Sequence, residues 1–146
     1  MIEIIIRSAK KNDANSITRL SHQLGYETLE ETLQNRLINI IENRDNCVYV
    51  ACINENIVGW IHGFYSMRVE SEFFVEIGGL VIEKRFRKIG IGKKLVEKVT
   101  EWAELKNCRK VRVRCNLLRT ESHEFYQKIG FEMNKIQKIF DKKLSY

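Results

Sequence analysis

The sequence is poor in the features that mark the special classes of protein chain. It has no proline, and only eight glycines and four cysteines among 146 residues. So little glycine excludes a fibrous, glycine-periodic chain, and a 44% hydrophobic fraction excludes a disordered one. No apolar run approaches the roughly 18 residues that a membrane helix needs. Ile2 to Ile6 is too short and too soon interrupted for a signal peptide. Cys47, Cys52, Cys108 and Cys115 match neither C-x-x-C nor a zinc-ligand spacing, so they read as reduced thiols, and no metal is expected. What remains is one soluble, cytoplasmic α/β domain over residues 1–146, long enough to bury a core without staples.

The net charge of +6 hides a division. Glu27 to Glu76 holds nine acids and three bases, a net of −6, whereas Ile77 to Tyr146 holds eighteen bases and eight acids, a net of +10. The bases crowd into Lys84–Lys94 and Lys106–Arg119, and neither stretch contains an acid. A charge run by itself is a solvated face; what lies between the charges decides otherwise.

Periodicity predicts the elements. Ile2, Ile4 and Ile6 alternate as an opening strand, and Asn12 and Asp13 offer an N-cap for a helix carrying Ile17, Leu20 and Leu24 that stops at Gly25. Thr28 and Glu31 have capping-box spacing before a second helix with Leu29, Leu33, Leu37, Ile40 and Ile41 inside. Cys47–Ile53 and Ile57–Tyr65 read as a hairpin, and Phe73–Ile82 as a further strand with Gly78-Gly79 in its middle. Ile91, Leu95, Val99, Trp102 and Ala103 define a third helix; Val111, Val113 and Cys115 alternate with Arg112 and Arg114 as a strand. A last helix runs from about Thr120 to Lys128, and Phe131 to Leu144 reads as one or two closing strands. The order is βααβββαβαβ with a further strand expected at the end.

Between the strand end Leu80-Val81-Ile82 and the third helix lies Arg87-Lys88-Ile89-Gly90-Ile91-Gly92. A strand, a turn with glycines two apart and a helix N-terminus make an anion cradle, because the backbone can approach closely and free N–H groups face the guest. It is neither a Walker loop nor a dinucleotide fingerprint. The segment resembles the [QR]-x-x-G-x-[GA] signature of the GNAT superfamily of acetyl-CoA-dependent N-acyltransferases. Asn116, followed by Phe125-Tyr126-Gln127-Lys128-Ile129-Gly130-Phe131, resembles that family's second segment, and Arg7, Ala9, Asp13 and Gln23–Tyr26 resemble its opening. Two positions depart from the pattern: Lys84 stands where a proline is common, and Lys88 where a glycine is common.

The resemblance implies a mostly antiparallel sheet of six to seven strands flanked by about four helices, and acetyl-CoA as cosubstrate. It implies that the backbone of Leu80, Val81 and Ile82 pairs with the pantetheine arm. The pyrophosphate would then meet Arg87, Lys88, Ile89, Gly90, Ile91 and Gly92, Lys93 or Lys94 would reach the adenosine phosphate, and Asn116 would contact the pantetheine or order a water. Glu76, eleven residues before Arg87 and set between Val75 and Ile77, is the candidate general base, with Glu70 and Glu72 behind it. Tyr126 is the candidate general acid. His123 reads as a packed or exposed residue of its helix. The acceptor pocket falls on the first two helices, around Tyr26, Glu27, Glu30 and Glu31, whose acids point to a cationic amine: a metabolite, an antibiotic or a peptide. The alternative to an enzyme is a CoA-binding sensor that keeps the cradle without catalysis; the basic half would also suit a nucleic-acid module, but it lacks interleaved aromatics, so neither nucleic acid nor membrane is expected as a partner. An edge strand after Phe131 leaves room for a homodimer.

Overall fold

The computed structural model describes residues 2–23, 25 and 29–145. It divides into two compact units, residues 1–114 and 115–146.

In the first unit, β1 (Ile5–Ser8), β2 (Asn46–Ile53), β3 (Asn56–Ser66), β4 (Phe74–Ile82) and β5 (Val111–Val113) form one sheet in that order. Every pairing is antiparallel except β4 with β5. The opening strand begins at Ile5 rather than Ile2, because its partners in β2 run only from Tyr49 to Cys52. Asn54 and Glu55, at φ 49° and 67°, turn β2 into β3 as a tight hairpin.

Helices α1 (Ala14–His22) and α2 (Glu30–Glu42) cover one face. Ile17, Leu20 and Leu37 bury there against Val48, Val50, Ile57 and Val81, and this apolar burial is the main source of stability. Helix α3 (Ile91–Leu105) packs on β2, β3 and β4, burying Ile91, Leu95, Val96, Val99 and Ala103. The capping box proposed at Thr28 lies outside the described residues. Asp13 does not cap α1 through its side chain; it accepts Arg7 Nη1 and Nη2 at 2.8 and 2.9 Å and the Lys10 N–H at 2.7 Å.

The second unit contains α4 (Thr120–Lys128). Among the described residues no strand follows it, so the sheet has five strands instead of six or seven. Phe131–Leu144 contains strand-forming residues, but their alternation is broken by Ile139-Phe140 and by lysines. Met133, Ile136, Ile139, Phe140 and Leu144 stay exposed, and among the described residues no strand pairs with this segment.

Candidate functional site

The pairing of β4 changes along its length. Val75, Glu76 and Ile77 pair with Val111, Arg112 and Val113, and there β5 ends. On the other side, His62 opposes Gly79 while Gly63 opposes Ile77, so Gly78 is the extra residue of a bulge. A Cβ on Gly78 would lie 2.8 Å from His62 Nδ1 and 3.2 Å from Phe64, which is why the bulge needs glycine. The bulge also re-aims the backbone. Glu83 N–H donates to Val58 O at 2.8 Å, so Glu83 and Val81 face β3, while the peptide groups of Leu80 and Ile82 face the side that β5 has left. Of the three residues expected to pair with a pantetheine arm, Leu80 and Ile82 thus turn their peptide groups outward, and Val81 is buried in the core. Arg87 already reaches across this edge, donating from Nε to Ile82 O at 3.2 Å.

The strand leads into the glycine turn. Gly90 has φ 95°, and a Cβ there would meet nothing within 4 Å: the requirement is conformational, and the space in front of the turn is open. Lys88 also adopts a left-handed conformation, φ 67°, so the lysine sits where glycine would be unstrained. The first bond of α3 runs from Lys94 N–H to Gly90 O at 3.1 Å. The N–H groups of Ile91, Gly92 and Lys93 therefore leave the helix end without an intrahelical acceptor, at the positive end of its dipole. With Arg87, Lys88, Lys93 and Lys94 all exposed around it, the turn fits a pyrophosphate.

Glu76 is 8% exposed, the only buried acid on β4. Arg114 donates from Nε to its two oxygens at 3.3 and 3.2 Å, and Arg68 Nη2 stands 4.0 Å from Oε1. Glu70 and Glu72 lie exposed in the loop before the strand. Beside Glu76, the fully buried Phe74 ring is approached by Arg112 at 4.5 Å, Lys110 at 4.7 Å and Arg68 at 5.2 Å. The sequence shows Arg112 and Arg114 as the charged side of a strand; their convergence on Glu76 depends on the parallel register with β4, which alternation alone does not give.

In the second unit, burial, and secondarily the Cys115 thiol, pushes the Tyr126 hydroxyl well above the ordinary phenol range, despite the opposing charge of Arg119. The ring is held edge-on between Phe125 and Phe131, centroids 5.0 and 5.4 Å away. Asn116 spends its side-chain oxygen on the Leu118 N–H at 2.9 Å, and its carbonyl lies 2.9 Å from His123 Nε2; both contacts shape the turn into α4. Of the acceptor residues expected on the first helices, Glu30 and Glu31 are exposed in the first turn of α2, where acids favour the helix dipole. Tyr26 and Glu27 lie outside the described residues.

Residues 13–131 match the model of the Acetyltransferase (GNAT) family. An 86-residue stretch, 59% of the chain, is 30% identical to the N-acetylaspartate synthetases of Rattus norvegicus and Homo sapiens, and it spans only 28% of their length. The fold superposes on a GNAT family acetyltransferase of Staphylococcus aureus with a TM-score of 0.77 at 26% identity, covering 97% of this chain and 98% of that one. It also superposes on the aminoglycoside N-acetyltransferase AAC(6')-Iy in complex with CoA, with a TM-score of 0.89 at 20% identity, covering 99% and 97%. No described helix is long and apolar enough to cross a membrane. With the family model covering most of its length, the chain belongs to the GNAT acetyltransferase family.

Proposed function

We propose that the protein transfers the acetyl group of acetyl-CoA directly to a primary amine. The observation that carries this reading is the outward-facing edge of Leu80 and Ile82, whose one recorded bond is from the Arg87 side chain, running into the open, N–H-lined turn at Gly90. The edge offers hydrogen bonds to an amide-bearing arm, and the turn offers donors and positive charge to a pyrophosphate. The CoA thioester supplies the activated acyl carbon.

The residues of this chain then handle protons. An alkylammonium of pKa near ~10 is about 0.1% neutral at pH 7, so a proton acceptor at the nitrogen is worth roughly 10²–10⁴-fold. Glu76 is assigned that role, directly or through one water. The nitrogen bonds to the carbonyl carbon, the C–S bond breaks, its electron pair leaves on sulfur, and the amine proton passes to Glu76. Tyr126, kept protonated by burial, is assigned to the departing sulfur. A phenol above its usual ~10 is a weaker acid than an alkyl thiol near ~8.5, so its contribution is a hydrogen bond to the developing charge.

Two observations bear on the acceptor. The acidic stretch from Glu27 to Glu76 favours a cation, such as a small metabolite, an antibiotic or a peptide amine. The side chains flanking Glu76 are basic, and a family relative is named for aspartate acetylation. Those flanking side chains stand where the amine must arrive, so they weigh more. The test of the reading is a mass-detected transfer assay over acidic, neutral and cationic amines with acetyl-CoA. Acetylated product and free CoA in equal amounts are expected; acetyl-CoA binding without product on any amine would overturn it.

A further inference from the structure

We infer that the acetyl acceptor carries a carboxylate close to its amine, and that Arg68, Lys110, Arg112 and Arg114 are the residues that read it. The inference rests on the acetyl-transfer reading and names the substrate class of that same site. Lys110, Arg112 and Arg114 alternate along one segment, and the register Glu76 opposite Arg112 puts them on the face of the sheet that bears Glu76. Arg68 joins them from the loop after β3, and the buried Phe74 ring anchors three of the four.

The charge of this cluster is unbalanced. Glu76 takes Arg114 and, at 4.0 Å, Arg68; Arg112 and Lys110 make no ion pair with a described residue. Two cations at the Glu76 carboxylate and two more over the adjoining Phe74 ring repel one another unless a further anion joins them. Guanidinium groups match a planar carboxylate in two-point geometry, which favours that anion over a diffuse one. The phosphates of CoA are not that anion in this reading, because their cradle begins past Ile82, about 20 Å along the strand from Glu76 at its usual rise. Arg68, Lys110 and Arg112 gather on Phe74 at the start of the β4–β5 pairing, and Arg114, just past its end, holds the assigned base. An amine delivered to Glu76 therefore has its neighbouring substituents among the arginines.

The test compares aspartate and glutamate with their diamides, with phosphoethanolamine, and with cadaverine and spermidine, on the wild-type protein and on Arg112→Gln and Arg68→Gln. Acid-bearing amines should exceed their amides in kcat/KM by at least about tenfold. Arg112→Gln should raise the KM for the acid by at least about tenfold and change kcat much less, with an unaltered melting curve. A preference for phosphoethanolamine would overturn the carboxylate assignment; a preference for cadaverine or spermidine would overturn the inference while acetyl transfer stands. Calorimetric binding of aspartate in the presence of free CoA separates the two proposals. Binding that weakens in Arg112→Gln without any turnover would keep the anion site and sink the transfer reading. No binding of any acid to the wild-type protein would sink the inference.

Discussion

Arg114 holds Glu76 through a single nitrogen, its Nε lying 3.3 and 3.2 Å from the two carboxylate oxygens. The carboxylate assigned to take the amine proton is thus fixed in place by a side chain projected from the end of the neighbouring parallel strand. Positioning of this kind is what lets a base contribute in the transition state instead of reorganising during it. It also ties the assigned base on β4 to the length of β5: the pairing ends at Val113, leaving the rest of β4 without a β5 partner, yet the chain reaches Arg114, which holds Glu76.

Glu76→Gln keeps the size of the side chain and one acceptor oxygen for Arg114, but removes the proton acceptor. We expect kcat to fall by roughly 10²–10⁴-fold, with the Kd for acetyl-CoA unchanged, since the residue lies at the far end of β4 from the phosphate cradle. Steady-state kinetics and calorimetry on the same preparation check it. Full turnover in this variant would remove Glu76 from the mechanism.

The cradle should respond oppositely to two substitutions. Gly90→Ala places a Cβ at φ 95°, a conformation costing about 1–2 kcal/mol; acetyl-CoA affinity should fall with the distorted turn. Lys88→Gly relieves a left-handed lysine at φ 67°, so its melting temperature should hold or rise, by about 0.5–1 kcal/mol in stability. It also deletes a positive charge beside the pyrophosphate, so the salt dependence of acetyl-CoA binding should weaken. Thermal melts and binding at two ionic strengths decide both.

Most of this architecture is legible in the residues, and the exceptions have physical causes. The helices announce themselves because Ile17, Leu20, Leu37, Leu95 and Val99 recur at helical spacing and do bury. The cradle is legible because Gly90 answers a local backbone demand. The basic cluster at Glu76 is not, because which residue of β5 opposes Glu76 is a matter of parallel register between segments far apart in sequence. The closing strands fail for a related reason: residues after Phe131 have strand composition, but a strand is defined by its partner, and composition does not supply one.

Gly78→Ala tests the bulge that separates the paired half of β4 from its free half. The new methyl would sit 2.8 Å from the His62 ring, and that ring is tethered by Nε2 lying 2.7 Å from Asn46 Oδ1, so it cannot simply swing away. A destabilisation of about 1–3 kcal/mol is expected, together with a loss of acetyl-CoA affinity as the Leu80 and Ile82 edges are re-aimed. Wild-type affinity in a destabilised variant would show that the bulge serves packing alone.

Acid sensitivity should trace to Asp13. Burial by itself would raise the pKa of this 6% exposed carboxyl, but hydrogen bonds from Arg7 and from the Lys10 N–H outweigh it and hold the group below its ordinary 3.8. A carboxyl whose pKa is depressed on folding binds fewer protons in the native than in the unfolded state. Its stabilisation is therefore complete above the unfolded value and is lost as pH falls through the folded one. Asp13→Asn keeps one acceptor but removes the charge that Arg7 meets, at an expected cost of about 2 kcal/mol and a melting temperature about 4–8 °C lower at pH 7. The gap between wild type and variant should stay constant down to pH about 5, then close as the wild-type carboxyl is protonated below 3.8. A gap that persisted undiminished at pH about 2 would mean that the shape of the Asp13 side chain, and not its charge, ties β1 to the start of α1.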